Sequence, residues 1–114
     1  MSYACGTIIY GIRATPAMQR VVETWTDTQP DYEDGWCWED LGFTQRYSGN
    51  GESTPTLGVE LGGMDECNDV RVSSLTLTPT PEQVSEVGRL IAGLPEPVRA
   101  AAEPPDVWII WSSS

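Results

Sequence analysis

Twice in this chain a β-forming run leads into Thr-Pro and then into an amphipathic stretch, first over Ile12 to Trp25 and again over Leu77 to Ile91. Threonine is a good helix N-cap, because its hydroxyl accepts from a free backbone N–H. Proline suits the first helical position, where its missing N–H costs nothing. After Thr15-Pro16, Met18, Val21, Val22 and Trp25 recur at helical spacing, and Pro30 ends the segment. After Thr80-Pro81, Gln83 completes a capping box. Val84, Val87, Leu90, Ile91 and Leu94 form the stripe of that second helix, and Gly93 and Pro95 stop it. The spacing predicts two main helices, each with one face to bury. Glu96 to Glu103 adds a further short helical turn or two.

The remaining apolar runs read as strands. Ala4 to Arg13 carries Ile8, Ile9, Tyr10 and Ile12 on both faces, and so does Val107-Trp108-Ile109-Ile110-Trp111 near the C-terminus. Both are expected inside a sheet, since a strand with one wet face alternates. Leu41 to Tyr47 and Thr56 to Leu61 are expected to pair as a hairpin around Ser48-Gly49-Asn50-Gly51, because Asn-Gly tolerates the positive φ of a tight turn. Val70 to Thr78 fits either a kinked strand or an extended connection. The expected fold is α+β: a mixed or mainly antiparallel sheet of about four to five strands, with two helices packed on one face, in one domain spanning residues 1–114. The repeated strand–Thr-Pro–helix order points to a split βαβ arrangement.

Charge narrows the function. Seventeen acids face six bases, for a net charge of −11, and every base is arginine. Such a surface opposes nucleic acid and anionic membranes and attracts basic protein. No apolar run is long enough to cross a bilayer. Three cysteines, Cys5, Cys37 and Cys67, form an odd set without C-x-x-C spacing or a preceding signal sequence, as expected of free thiols in a reducing cytoplasm.

The chain has no histidine and no lysine. It therefore lacks the usual general base, the usual activator of a cysteine nucleophile, the Schiff-base amine and the P-loop cation. Two carboxylates suffice for a glycosidase, but a sugar cleft is hard to build in a domain this small. Asp65-Glu66-Cys67-Asn68-Asp69 lacks the alternating acids, central glycine and terminal glutamate of an EF-hand. No catalytic residue, metal site or cofactor is expected.

The segment from Val21 to Gln45 stands out, with seven acids and no base. Trp25 and Phe43 within it read as core. Asp27, Asp31, Tyr32, Glu33, Asp34, Trp36, Trp38, Glu39 and Asp40 form the candidate partner-binding surface, and Asp65, Glu66 and Asp69 form a secondary acidic loop. Trp36 and Trp38, two apart, share a face in extended chain. They either lid the core or anchor a partner. A rim ion pair contributes only about 0.2–1 kcal/mol, whereas a buried aromatic anchor contributes about 2 kcal/mol or more. Acids would thus set on-rate and register, and Tyr32, Trp36 or Trp38 the affinity.

In its length, its net charge and the stretch from Asp31 to Asp40, the sequence resembles the small acidic anti-CRISPR and other anti-defence proteins that phages encode. The resemblance implies an inhibitor that covers a basic nucleic-acid-binding site, in some such proteins by imitating phosphate charge. A CRISPR effector or another nucleic-acid-binding protein would be the partner, met in the host cytoplasm by a monomer or small homo-oligomer that does not itself bind nucleic acid. The alternatives are an immunity protein against a basic nuclease toxin, and a protein that sequesters a small molecule or nucleotide signal. The last requires Arg13, Arg20 and Arg46 to converge.

Overall fold

The computed structural model describes residues 4–45, 55–65 and 77–113. In chain order they form strand β1 (Ala4–Arg13), helix α1 (Pro16–Thr26), 3₁₀ turns at Pro30–Tyr32 and Trp38–Leu41, strand β2 (Thr56–Asp65), helix α2 (Pro81–Ala92), the short helix α3 (Glu96–Ala100) and strand β3 (Asp106–Ser113). The fold is α+β. Its three described strands are antiparallel, in the order β2-β1-β3.

β1 is the middle one of the described strands and buries side chains on both faces. Ile8 and Ile12 are buried on one face, Thr7 and Ile9 on the other. β2 and β3 both run antiparallel to β1, so they run parallel to each other with β1 between them. α2 and α3 lie in the connection from β2 to β3. β2, the two helices and β3, with β1 between the strands, make a split βαβ unit, but its first strand is β2: Leu77, in the second expected strand–Thr-Pro step, is in no strand, and residues 70–76 lie outside the described ones.

Gly11 and Gly58 face each other across β1 and β2, and their backbones come too close for a side chain. Further along, Ile8 pairs with Gly62 and Ile9 with Glu60, so Leu61 is the extra residue of a bulge.

Both Thr-Pro starts are helix starts. Thr15 Oγ1 accepts from the Met18 N–H at 3.1 Å. Thr80 and Gln83 cap reciprocally: the Gln83 N–H donates to Thr80 Oγ1 at 3.2 Å and the Thr80 N–H to Gln83 Oε1 at 2.8 Å. The helices meet one core. Ile12 and Leu57, paired across the sheet, pack with Met18, Val22, Trp38, Phe43, Leu94 and Val98. α2 lies over β2 and β1, and α1 lies against α3. Arg99 Nη1 donates to the Ala92 carbonyl at 3.1 Å, satisfying an acceptor that the end of α2 leaves open.

The strand expectations hold less evenly. β3 lies outside β1 rather than centrally among the described strands, and Ile109 is 44% exposed. Apolar side chains on both faces do not distinguish a central strand from an outer one whose tryptophan covers the sheet itself. Trp108 Nε1 donates to the Gly11 carbonyl at 3.2 Å, and the Arg13 guanidinium lies 4.9 Å from the Trp108 ring centre. The strand expected over Leu41 to Tyr47 is not one over its described part. Leu41 ends a 3₁₀ turn, Gly42 takes φ 89°, and only Thr44 bridges β2, exchanging two backbone hydrogen bonds with Thr56 at 2.8 and 2.9 Å. The expected four to five strands therefore become three among the described residues. The turn at Ser48 to Gly51 and residues 70–76 lie outside them. β2 continues past Leu61, where the expected strand ended, through Asp65, so Asp65 lies in a strand and not in the expected acidic loop.

Candidate partner-binding surface

The acidic segment leaves the end of α1 and is fastened step by step. Asp27 caps α1, and the Gln29 N–H bonds back to the Thr26 carbonyl at 3.0 Å. Pro30, with its fixed φ, opens the first 3₁₀ turn. The Gly35 N–H then closes on the Tyr32 carbonyl at 3.0 Å, and Gly35 takes φ 115°, a conformation that favours glycine. Three residues on, the chain dives into the core. Trp38 is only 8% exposed, its ring 5.0 Å from Phe43 and 5.0 Å edge-on from Trp36. The Cys37 N–H donates to Asp40 Oδ2 at 2.9 Å, capping the second turn.

This arrangement sorts the candidate residues. Asp27, Asp31, Glu33, Asp34, Glu39 and Asp40 are all exposed. Asp40 is occupied as a cap. Glu39 accepts from Gln45 Nε2 at 3.0 Å through each oxygen, and this bond holds its carboxyl below the usual range. Asp31, Glu33 and Asp34 make no ion pair with a described residue. The one ion pair among the described residues joins Arg89 to Glu86 on α2. Trp36 is half-buried against the core, and Tyr32 is half-buried with its ring 5.5 Å from that of Trp25.

Trp36 and Trp38 therefore do not share an exposed face. The extended-chain spacing gives way to a 3₁₀ turn beginning at Trp38, and that ring becomes core. Asp65 is the last residue of β2, while Glu66 and Asp69 lie outside the described residues. Among the described residues no group of three or more Cys, Asp or Glu side chains is placed to hold a metal ion. No described helix is long and apolar enough to cross a membrane.

Sequence reasoning missed one surface. Trp25 and Val21, read as core, are half-buried, while Met18, Val22 and Thr26 fill the buried face of α1. Val21 and Trp25 instead line an open groove of about 510 Å³ with Ala17, Arg20, Thr24, Thr28 and Pro97. The signal was present in the width of the apolar face. Ala17, Val21 and Trp25 make a second i, i+4 row beside Met18 and Val22, more than one core contact needs. Arg20 lines this groove and Arg13 a separate cleft of about 210 Å³ beside Trp108, so these two arginines do not converge; Arg46 lies outside the described residues.

Comparison with known proteins finds no match to a family model, to a curated protein or to a solved structure.

Cys37 is exposed and unbridged. A hydrogen bond from the Asp40 backbone N–H favours its thiolate, but the Asp40 and Glu39 carboxylates and partial desolvation outweigh that bond and push the thiol above its ordinary value. The thiolate is the reactive form. Cys37 should therefore alkylate in the folded protein, but more slowly at neutral pH than a model peptide thiol, with its rate still climbing through the alkaline range. Time-resolved mass spectrometry with iodoacetamide checks this. Labelling faster than the model thiol would mean that the carboxylates do not face the sulfur.

Proposed function

We propose that this chain is a non-enzymatic binding protein that docks an acidic surface on the basic nucleic-acid-binding site of a bacterial defence protein, as a phage-type, anti-CRISPR-like inhibitor acting in the host cytoplasm. The supporting observation is the outward display of Asp31, Glu33 and Asp34 on a segment whose next turn is pinned by the buried Trp38. Charges held on a fastened segment lose less conformational entropy on docking than charges on a free tail. Their alignment would steer a basic partner and set its register. The absence of histidine and lysine from the chain supports binding over catalysis.

The test begins by capturing a partner from bacterial lysate on the immobilised protein. The captured protein is then assayed for nucleic-acid binding with and without the free chain. Loss of that binding supports the proposal, and unchanged binding defeats it. Recovery of a nuclease toxin would support the immunity-protein alternative instead. In the same assay the triple variant Asp31→Asn, Glu33→Gln, Asp34→Asn should associate about ten-fold more slowly at low salt, with a flatter salt dependence and little change in dissociation. Equal association rates for variant and parent would remove these acids from the interface.

A further inference from the structure

We infer that the groove between α1 and α3 is the apolar half of this binding surface, and that it receives one aromatic or aliphatic side chain from a basic segment of a partner protein. The inference rests on the acidic-surface reading and gives it the anchor it lacks. Charge alone supplies register and rate but little affinity. Of the three rings expected as anchors, Trp38 is turned into the core, and Tyr32 and Trp36 are half-buried. This side of the interface therefore offers a receptacle rather than a protruding ring. Val21, Trp25 and Pro97 give the groove its apolar lining, and the Tyr32 ring packs against Trp25.

The charge around the groove selects a basic occupant. Asp27 immediately precedes Thr28, a lining residue. Asp31 immediately precedes Tyr32, and Glu96 immediately precedes Pro97 on the opposite wall; all three acids are exposed. Among the described residues Arg20 is the only charged residue of the lining itself, and these three neighbouring acids outnumber it. Trp25 and Thr28 also lie at the C-terminal end of α1, where the helix dipole is negative and the last turn holds no basic residue. An apolar side chain flanked by arginines or lysines matches both the groove and its rim.

Three pentapeptides serve as probes in titrations followed by amide NMR: Arg-Arg-Trp-Arg-Arg, Arg-Arg-Ser-Arg-Arg and Glu-Glu-Trp-Glu-Glu. The first should shift the Val21, Trp25 and Thr28 amides and the Trp25 indole. It should bind about ten-fold more tightly than the serine peptide, the equivalent of ~1.4 kcal/mol. The acidic peptide should not shift these signals. Ala17→Phe, at an exposed lining position, should plug the groove and abolish the tryptophan advantage while leaving the serine peptide's binding intact. If its melt shows that it does not fold, Thr24→Arg serves instead and should weaken the basic tryptophan peptide at least several-fold. Equal binding of the two basic peptides, with shifts confined to Asp31 to Asp34, would overturn the groove and leave the acidic surface standing. Binding of neither basic peptide at low salt would overturn both readings. An acidic tryptophan peptide that binds as tightly as the basic one would overturn the basic partner.

Discussion

Trp38→Ala should cost about 3–5 kcal/mol of folding stability, the range for truncating a buried large aromatic side chain. Its ring meets Phe43 and Trp36 and belongs to the cluster that includes Ile12, Met18 and Val22. Removing it opens a cavity at the point where the acidic segment is tied to the helices. A domain of this size has only about 5–15 kcal/mol to lose. A urea titration followed by circular dichroism reads the effect as a fall in midpoint. Trp38→Phe should recover part of the loss. The Asp31→Asn, Glu33→Gln, Asp34→Asn variant should stay within about 0.5 kcal/mol of the parent, because exposed polar substitutions touch no packed surface. A Trp38→Ala protein within about 1 kcal/mol of the parent would contradict the core assignment, and with it the claim that the acids stand on a fastened segment.

Gly11→Ala should be comparably damaging for the opposite reason. A Cβ at Gly11 would sit 2.2 Å from the Leu57 carbonyl oxygen and 2.6 Å from Gly58 Cα. A Cβ at Gly58 would meet the Tyr10 carbonyl oxygen at 2.2 Å. These are backbone atoms of the paired strand and cannot rotate away, so β1 and β2 must separate where Ile12 and Leu57 bring the core together. Overpacking costs about 1–3 kcal/mol where side chains can adjust; against backbone the loss should reach or exceed the top of that range. Gly88→Ala is the internal control. Gly88 lies on α2 with nothing within 4 Å of the added carbon, so that change should stabilise by about 0.5–1 kcal/mol through helix propensity. Melting curves of the three alanine variants would rank them. Gly11→Ala or Gly58→Ala melting with the parent would show that the strands do not approach so closely.

Local chemistry made much of this fold legible. Thr15-Pro16 and Thr80-Pro81-Glu82-Gln83 set both helix starts, because the groups that satisfy a helix N-terminus lie within three residues of it. The apolar faces of Ala4 to Arg13 fit the middle place that β1 takes among the described strands, although the same pattern in Val107 to Trp111 did not place β3 there. Asp27, Asp31, Glu33, Asp34, Glu39 and Asp40 were legible as exposed, because an unpaired carboxylate stays in water.

Contacts between segments far apart in the chain decided the rest. Whether Val107 to Trp111 lay centrally or outside depended on where β1 and β2 paired, and nothing local encodes that. Trp36, Trp38 and Trp25 are the clearest case. The spacing left Trp36 and Trp38 open to either core or surface and read Trp25 as core. A 3₁₀ turn capped by Asp40, with Phe43 waiting across the core, drew Trp38 inward. The filling of the core by Met18, Val22 and Val98 left Trp25 at the groove. The sequence by itself determined the helices and the acidity of the surface, because these follow from short-range hydrogen bonding, periodicity and solvation. Only the tertiary structure decided which aromatic rings were used up in packing and which remained beside the acids. Burial is a competition for limited core volume, settled only once all segments are in place.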